Sequence, residues 1–352
     1  MGPETNSDRS YFEGAADYDV ESVRFFDVAH EGAHTRAVAQ AADLLDGLRG
    51  SSPRSVVVLV TDAVAEAAAQ CAVALVDFGR APVMVTRTLP DFVGALDVVI
   101  VAGDAPDAET VTRQVSAAAG RGAEVVLAGP ASGPVVEDAP RGVIDLPAPP
   151  TADGASPLRT IAAIAAVCAA LTDAPALVDG LADAIDDELR QLSPERDTAV
   201  NLARQLREFV AGARIIHTGY TPAGAAVARL VAALWSVRGL PSGFVGREDL
   251  AAALEAHSAG DGAGPSSGGA GNSGGGADDI FYDPFIDGPP AQIPVKTIVW
   301  AQREPHLLGA RAEYVEDIAE SADSADSAEI AGALRLIVRG LAATAMSVRD
   351  GA

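Results

Sequence analysis

The sequence predicts an α/β protein made of two doubly wound parallel-sheet domains flanked by helices. Three observations predict it. Two stretches lie over one another without a gap, Asp62 falling against Thr221: Arg54-Ser-Val-Val-Val-Leu-Val-Thr61-Asp62 leads into Ala63 to Leu75, and Arg214-Ile-Ile-His217-Thr218-Gly-Tyr220-Thr221 leads into Pro222 to Leu234. Each is a β-branched apolar run, a polar turn and an Ala-rich helical segment. Short apolar runs also alternate with helical patterns through most of the chain, the signature of a parallel sheet covered on both faces. Finally, 352 residues suffice for two domains with full cores, and 49% hydrophobic with 5% aromatic content makes those cores Ala, Val, Leu and Ile.

In chain order, residues 10–48 carry helical periodicity with Phe25, Val28, Val38, Ala41 and Leu45 on related faces. Gly50-Ser-Ser-Pro53 ends this lead-in. The first block then reads as strand 55–60, helix 63–78, strand 82–86, strand 97–102, helix 107–119, strand 124–127 and a short strand over 142–146. A Pro-rich connection at 147–156 precedes helices at 157–171, 175–192 and 196–211. The second block reads as strand 213–218, helix 222–237, a short strand at Gly243-Phe-Val-Gly246, helix 248–257, strand 295–301 and helices near 311–320 and 327–346. The low-complexity tract of 258–276 is a flexible Gly/Ser insertion, and Asp278 to Asp287 is an acidic-aromatic segment without a regular pattern. The expected domains are a helical lead-in at 1–50, a first α/β domain at 51–155, a helical connection at 156–212 and a second α/β domain at 213–352.

A net charge of −24 argues against nucleic acid and anionic membrane surfaces as partners, because both repel an acidic protein. Lys296 is the sole lysine and sits in a strand pattern, the wrong place for a P-loop. Cys71 and Cys168 fall in apolar helical stretches and read as buried thiols. The N-terminus lacks the basic-then-apolar pattern of a signal peptide, and the longest apolar run, 161–171, is too short to span a bilayer, so the expected location is the cytoplasm.

His30-Glu31-Gly32-Ala33-His34 matches H-E-x-x-H, where two histidines on one helical face bind zinc and the glutamate activates water. Gly32 weakens such a helix and no companion motif follows. The weightier expectation is a solvent-facing helical pair, with no metal and no cofactor.

Ala102-Gly103-Asp104-Ala105-Pro106-Asp107-Ala108-Glu109-Thr110 follows the third strand, and Arg121-Gly-Ala-Glu-Val-Val126 follows the next helix. In this order of segments the chain resembles double SIS (sugar isomerase) proteins, and more narrowly the bifunctional phosphoglucose/phosphomannose isomerase family, over about residues 50–350. The family's S-Y-S-G-N-T-E-E-T loop keeps only its closing Glu109-Thr110, and Asp104 and Asp107 stand where hydroxyls cradle the phosphate. The family's G-M-G-G-S turn is replaced by Val60-Thr61-Asp62-Ala63-Val64. Ser236 stands where the resemblance calls for the catalytic glutamate, and nothing after Lys296 matches a C-terminal family lysine.

The resemblance implies interconversion of glucose or mannose 6-phosphate with fructose 6-phosphate. Glu248 and His257 would be the base and ring-opening pair, Thr61, Thr110, Thr218, Tyr220 and Thr221 would bind substrate oxygens, and the assembly would be a homodimer. The alternative is a non-catalytic SIS-fold binding or regulatory module; a zinc hydrolase using His30, Glu31 and His34 is the third. A carboxylate at a helix N-terminus satisfies the N–H groups a phosphate would use and repels it. The first turn therefore reads as closed to anions, and His217-Thr218-Gly219-Tyr220-Thr221 as the better place for a phosphorylated ligand.

Overall fold

The computed structural model describes residues 19–105, 109–149, 155–260, 293–316 and 325–348. Two helices, α1 (Val20–Ala29) and α2 (Glu31–Gln40), and a 3-10 turn at Ala42–Leu48 lead into the first sheet. That unit comprises β1 (Ser55–Val60), α3 (Ala63–Leu75), β2 (Val83–Thr86), β3 (Asp97–Ala102), α4 (Glu109–Gly120), β4 (Glu124–Ala128), a single turn α5 (Pro134–Glu137) and β5 (Ile144–Asp145). Helices α6 (Pro157–Thr172), α7 (Leu181–Leu192) and α8 (Leu202–Phe209) connect it to the second unit. There follow β6 (Arg214–Gly219), α9 (Pro222–Val237), β7 (Ser242–Phe244), α10 (Leu250–Gly260), β8 (Val295–Trp300), β9 (Arg311–Glu313) and α11 (Ala325–Ala343).

All strand pairs are parallel, and the sheet orders are β2-β1-β3-β4-β5 and β7-β6-β8-β9. In both, the first strand pairs with the second on one side and the third on the other. That is a topological switch point, where the connections leave toward opposite faces and a crevice opens at the strands' C-terminal ends.

Alternation along the strands explains the layering. Val56, Val58, Val98, Ile100, Val126 and Ala128 join the main core, whereas Val57, Leu59, Val99, Val101, Val125 and Leu127 pack with Val111, Val115 and Ala118 of α4. The main core continues through α3, α6 and α9 to Ile298 and Trp300 of β8. Small side chains make this closeness attainable: Ala65, Ala68, Ala69 and Ala72 bury one side of α3, which packs on α6 and α9. Helix α6 is buried around nearly its whole circumference, as expected of an apolar helix lodged between layers. No helix among the described residues is long and apolar enough to cross a membrane.

Buried ion pairs tie distant segments together. Glu21 on α1 accepts both guanidinium nitrogens of fully buried Arg204, at 3.0 and 2.7 Å, and the Ser347 backbone N–H at 2.6 Å. Arg339 on α11 bridges Glu188 of α7 and Glu313 of β9 at 2.8 Å each.

Several expectations need correction. The helix expected near 311–320 begins instead as strand β9, paired with β8 through Ile298↔Arg311 and Trp300↔Glu313. Sheet pairing and the Glu313–Arg339 contact outweigh the helical propensity of this Ala- and Glu-containing run. The helix expected over 196–211 starts at Leu202, because the Asn201 side chain caps it by accepting the Arg204 N–H at 3.1 Å. The one expected over 175–192 is a 3-10 turn and then α7, separated by Gly180 at φ 71°. Helix α10 extends to Gly260, into the expected insertion. Residues 1–18, Asp107, residues 261–276 and Asp278 to Asp287 lie outside the described residues.

Candidate functional site

At the first switch point the chain fills its own crevice. Asp62 caps α3: one carboxylate oxygen accepts the Val64 and Ala65 N–H groups at 3.0 and 2.9 Å. The other accepts the Thr61 hydroxyl at 2.8 Å and the Asp104 N–H at 3.3 Å. Gly103 lets the β3 loop lie this close, since a Cβ there would meet Thr61 Oγ1 at 2.0 Å and its φ is +127°. Asp104 in turn accepts the Ser156 N–H at 2.7 Å and Nη2 of buried Arg159 at 2.6 Å. Burial raises the Asp104 carboxyl above its ordinary pKa, with Arg159 pulling against it. Thr61 is thus engaged by Asp62, and Thr110 is exposed in the first turn of α4.

The H-E-x-x-H residues belong to this closed region. Glu31 is buried and accepts the Ser156 hydroxyl at 2.9 Å and the Leu158 N–H at 3.2 Å, so it caps α6 rather than activating water. Burial raises its pKa to about 8. The expectation of a solvent-facing pair is corrected for His34, which is 5% exposed, its pKa lowered to about 4 by burial first and Arg159 second. Gly32 explains the burial, since a Cβ there would strike Asp186 of α7. His30 instead bonds through Nδ1 to the Phe26 carbonyl at 2.8 Å. Among the described residues no three His, Cys, Asp or Glu side chains converge on a metal position.

The second switch point is open. Over the C-terminal ends of β6, β8 and β9 lies a cavity of about 590 Å³, lined among others by Thr221, Gln302, Arg303, Glu304, His306, Tyr314 and Glu329. Thr221 caps α9, its Oγ1 accepting the Gly224 N–H at 3.0 Å. Gly219 brings β6 against α9: a Cβ there would lie 2.1 Å from the Gly224 carbonyl carbon. A neighbouring cavity of about 330 Å³ is lined by Tyr220, Arg247, Leu250, Ala251, Leu254, His306 and Leu307. His306 lines both, its ring 6.3 Å from that of Tyr220 in the smaller cavity, and the Tyr220 hydroxyl donates to the Pro305 carbonyl at 2.6 Å.

The loop after β8 is held in an unusual conformation. Ala301 and His306 have φ of 57° and 48°, a left-handed backbone costing on the order of 1 kcal/mol at each non-glycine residue. Strain of this kind concentrates at ligand sites. Arg303 lies 5.2 Å from the Tyr314 ring and Arg247 5.2 Å from the Tyr220 ring, and among the described residues neither makes an ion pair.

Of the residues singled out from sequence, Thr221 lines the larger cavity and Tyr220 the smaller. Thr218 is fully buried, its hydroxyl without a partner among the described residues. His217 is buried beneath, its Nδ1 accepting Trp300 Nε1–H at 3.0 Å, and burial lowers its pKa to about 3. Glu248 is exposed ahead of α10 and His257 sits in that helix's last turn, so two turns of helix separate them. Sequence reasoning missed Gln302, Arg303, Glu304, His306, Tyr314 and Glu329. The polar run 302–306 directly after an apolar strand was the available signal, because the switch point always draws on the third strand's loop as well as the first.

These sheets and their strand order define an α/β protein of two SIS-like doubly wound domains. Among the solved structures that share that fold over almost their full length, two illustrate the likeness. One is the C-terminal domain of glucosamine-fructose-6-phosphate aminotransferase from Francisella tularensis, 9% identical, with a TM-score of 0.55 over 94% of this chain and 97% of that one. The other is tagatose-6-phosphate ketose/aldose isomerase from Escherichia coli, 11% identical, with a TM-score of 0.54 over 90% and 91%. At these identities the likeness is one of fold. No protein-family model and no curated protein sequence matches the chain.

Proposed function

We propose that the chain binds a phosphorylated sugar at the second switch point and acts as a binding or regulatory module rather than an isomerase. The observation that carries this is the cavity of about 590 Å³ over β6 and β8, whose lining includes His306 and Arg303, a guanidinium without an ion-pair partner among the described residues. Gln302, Thr221 and Tyr314 supply hydrogen-bonding groups, and Glu304 and Glu329 are acceptors for sugar hydroxyls. The fold, shared with proteins named for hexose 6-phosphate chemistry, supports the ligand class. The ligand-binding unit is then residues 213–352, with 51–155 its closed counterpart, in a cytoplasmic homodimer.

Isomerisation of glucose or mannose 6-phosphate is the second reading, favoured by one observation: Glu304 and His306, 4.0 Å apart, face the same cavity. A proton moved between adjacent carbons needs a carboxylate held against the substrate. Both side chains are more than half exposed, which favours binding alone.

Calorimetric titration with glucose, mannose and fructose 6-phosphates, with a coupled assay for their interconversion, tests both. Micromolar binding without turnover is the expected result, and Arg303→Ala should weaken it roughly tenfold, a loss of about 1.4 kcal/mol. Interconversion would overturn the binding-module reading, and absence of binding for all three would overturn both.

A further inference from the structure

We infer that the occupant is larger than a hexose phosphate: a nucleoside diphosphate-linked sugar, with its sugar in the larger cavity and its base in the smaller. This rests on the phosphosugar reading above and extends it to the adjoining pocket. The two cavities, of about 590 and 330 Å³, share His306 as a common wall. Their chemistry differs in the way the two ends of such a molecule differ. The larger offers Gln302, Glu304 and Glu329 to hydroxyl groups. The smaller offers apolar Leu250, Ala251 and Leu307 beside the flat face of Tyr220.

Two rings of the smaller cavity suit the base, and the junction suits the diphosphate. Tyr220 and His306 lie at 6.3 Å with planes 30° apart, whereas a planar base sandwiched between two rings needs about 7 Å, two van der Waals separations. His306 is 63% exposed and can move by that difference, while Tyr220 is anchored at Pro305. Arg303 and Arg247 flank the junction from the larger and smaller cavity respectively, each resting on an aromatic ring without a carboxylate partner among the described residues. A diphosphate carries charge for two guanidinium groups, and a hexose monophosphate seated against Arg303 leaves Arg247 unused. In a chain of net charge −24, two arginines at one junction supply the local attraction an anionic ligand needs.

The test is calorimetric titration of the full chain with UDP-glucose, GDP-mannose and glucose 6-phosphate. At least one nucleotide sugar should bind tenfold or more tightly than glucose 6-phosphate. Arg247→Ala should cost that ligand about tenfold, and Ala251→Trp, an exposed position whose new ring fills the smaller cavity, should abolish the preference. Both variants should keep the affinity for glucose 6-phosphate, which also reports that they are folded. Binding of hexose phosphate with no preference for either nucleotide sugar would overturn this inference alone. Silence toward all three would overturn the phosphosugar reading with it.

Discussion

Glu31 shows how one buried carboxyl sets a slope in stability. It accepts Ser156 Oγ–H and Leu158 N–H where α6 begins, and burial lifts its pKa from 4.5 to about 8. Between those two values the folded chain keeps a proton that the unfolded chain has released, so this group makes stability fall as pH rises through that window. His34 acts in the opposite direction at lower pH. Its pKa is lowered to about 4, so stability rises with pH between about 4 and 6.5 as the unfolded chain gives up its proton. Glu31→Gln keeps a carbonyl oxygen for both donors and cannot ionise. Urea unfolding of the two proteins should give similar stabilities near pH 4.5 and a variant more stable by on the order of 2–5 kcal/mol near pH 8. His34 is common to both, so the difference isolates Glu31. Parallel stability curves across that range would refute the assignment of a neutral buried Glu31.

The β6–α9 junction is the element on which the open crevice depends. Gly219 ends the strand against the first turn of α9, and Gly224 faces Trp300, where a Cβ would come within 2.7 Å of the carbonyl oxygen. A methyl group at Gly219 meets backbone, which cannot rotate aside, so strand and helix must separate. Gly219→Ala should therefore destabilise the protein by about 1–3 kcal/mol and weaken ligand binding, whereas Gly243→Ala, with nothing within 4 Å, should do neither. Equal melting temperatures for the two variants would show that the junction tolerates the shift. This element was legible in the sequence because its parts are local. The strand is a buried β-branched run, and Thr221 is a cap hydroxyl ahead of an Ala-rich segment. Strand β9 was not, because Arg311 to Glu313 becomes extended through its pairing with Ile298 to Trp300 of β8, a tertiary contact that overrides a helical run. The site divides in the same way: Tyr220 and Thr221 lie in the repeated turn that the sequence displays. Arg303, His306 and Tyr314 join them because β8 and β9 lie beside β6 in the sheet, and a repeat in sequence does not encode strand order. The closure of the first crevice was half visible, in Asp62 and Asp104, while Arg159 and Ser156 reach it from the connecting helices.

At the scale of the whole molecule the charge distribution opposes the ligand that the crevice is proposed to take. The chain carries −24, and an approaching sugar phosphate or nucleotide sugar is repelled until it is near Arg303 and Arg247. The range of the two fields decides which dominates each step. The net field of the molecule extends as far as the Debye length, about 30 Å at 0.01 M salt and about 10 Å at 0.1 M. The arginines act at contact, over a few ångströms, where screening is weak. Added salt should therefore relieve the repulsion that slows encounter and loosen the bound state only slightly. Stopped-flow measurements with a fluorescent nucleotide sugar should show the association rate rising severalfold from about 0.01 to 0.1 M salt, with the dissociation rate changing by less than about twofold. An association rate that falls steeply over that range would mean that the arginines already steer the ligand at long range, and the acidic surface would then have to lie away from the crevice.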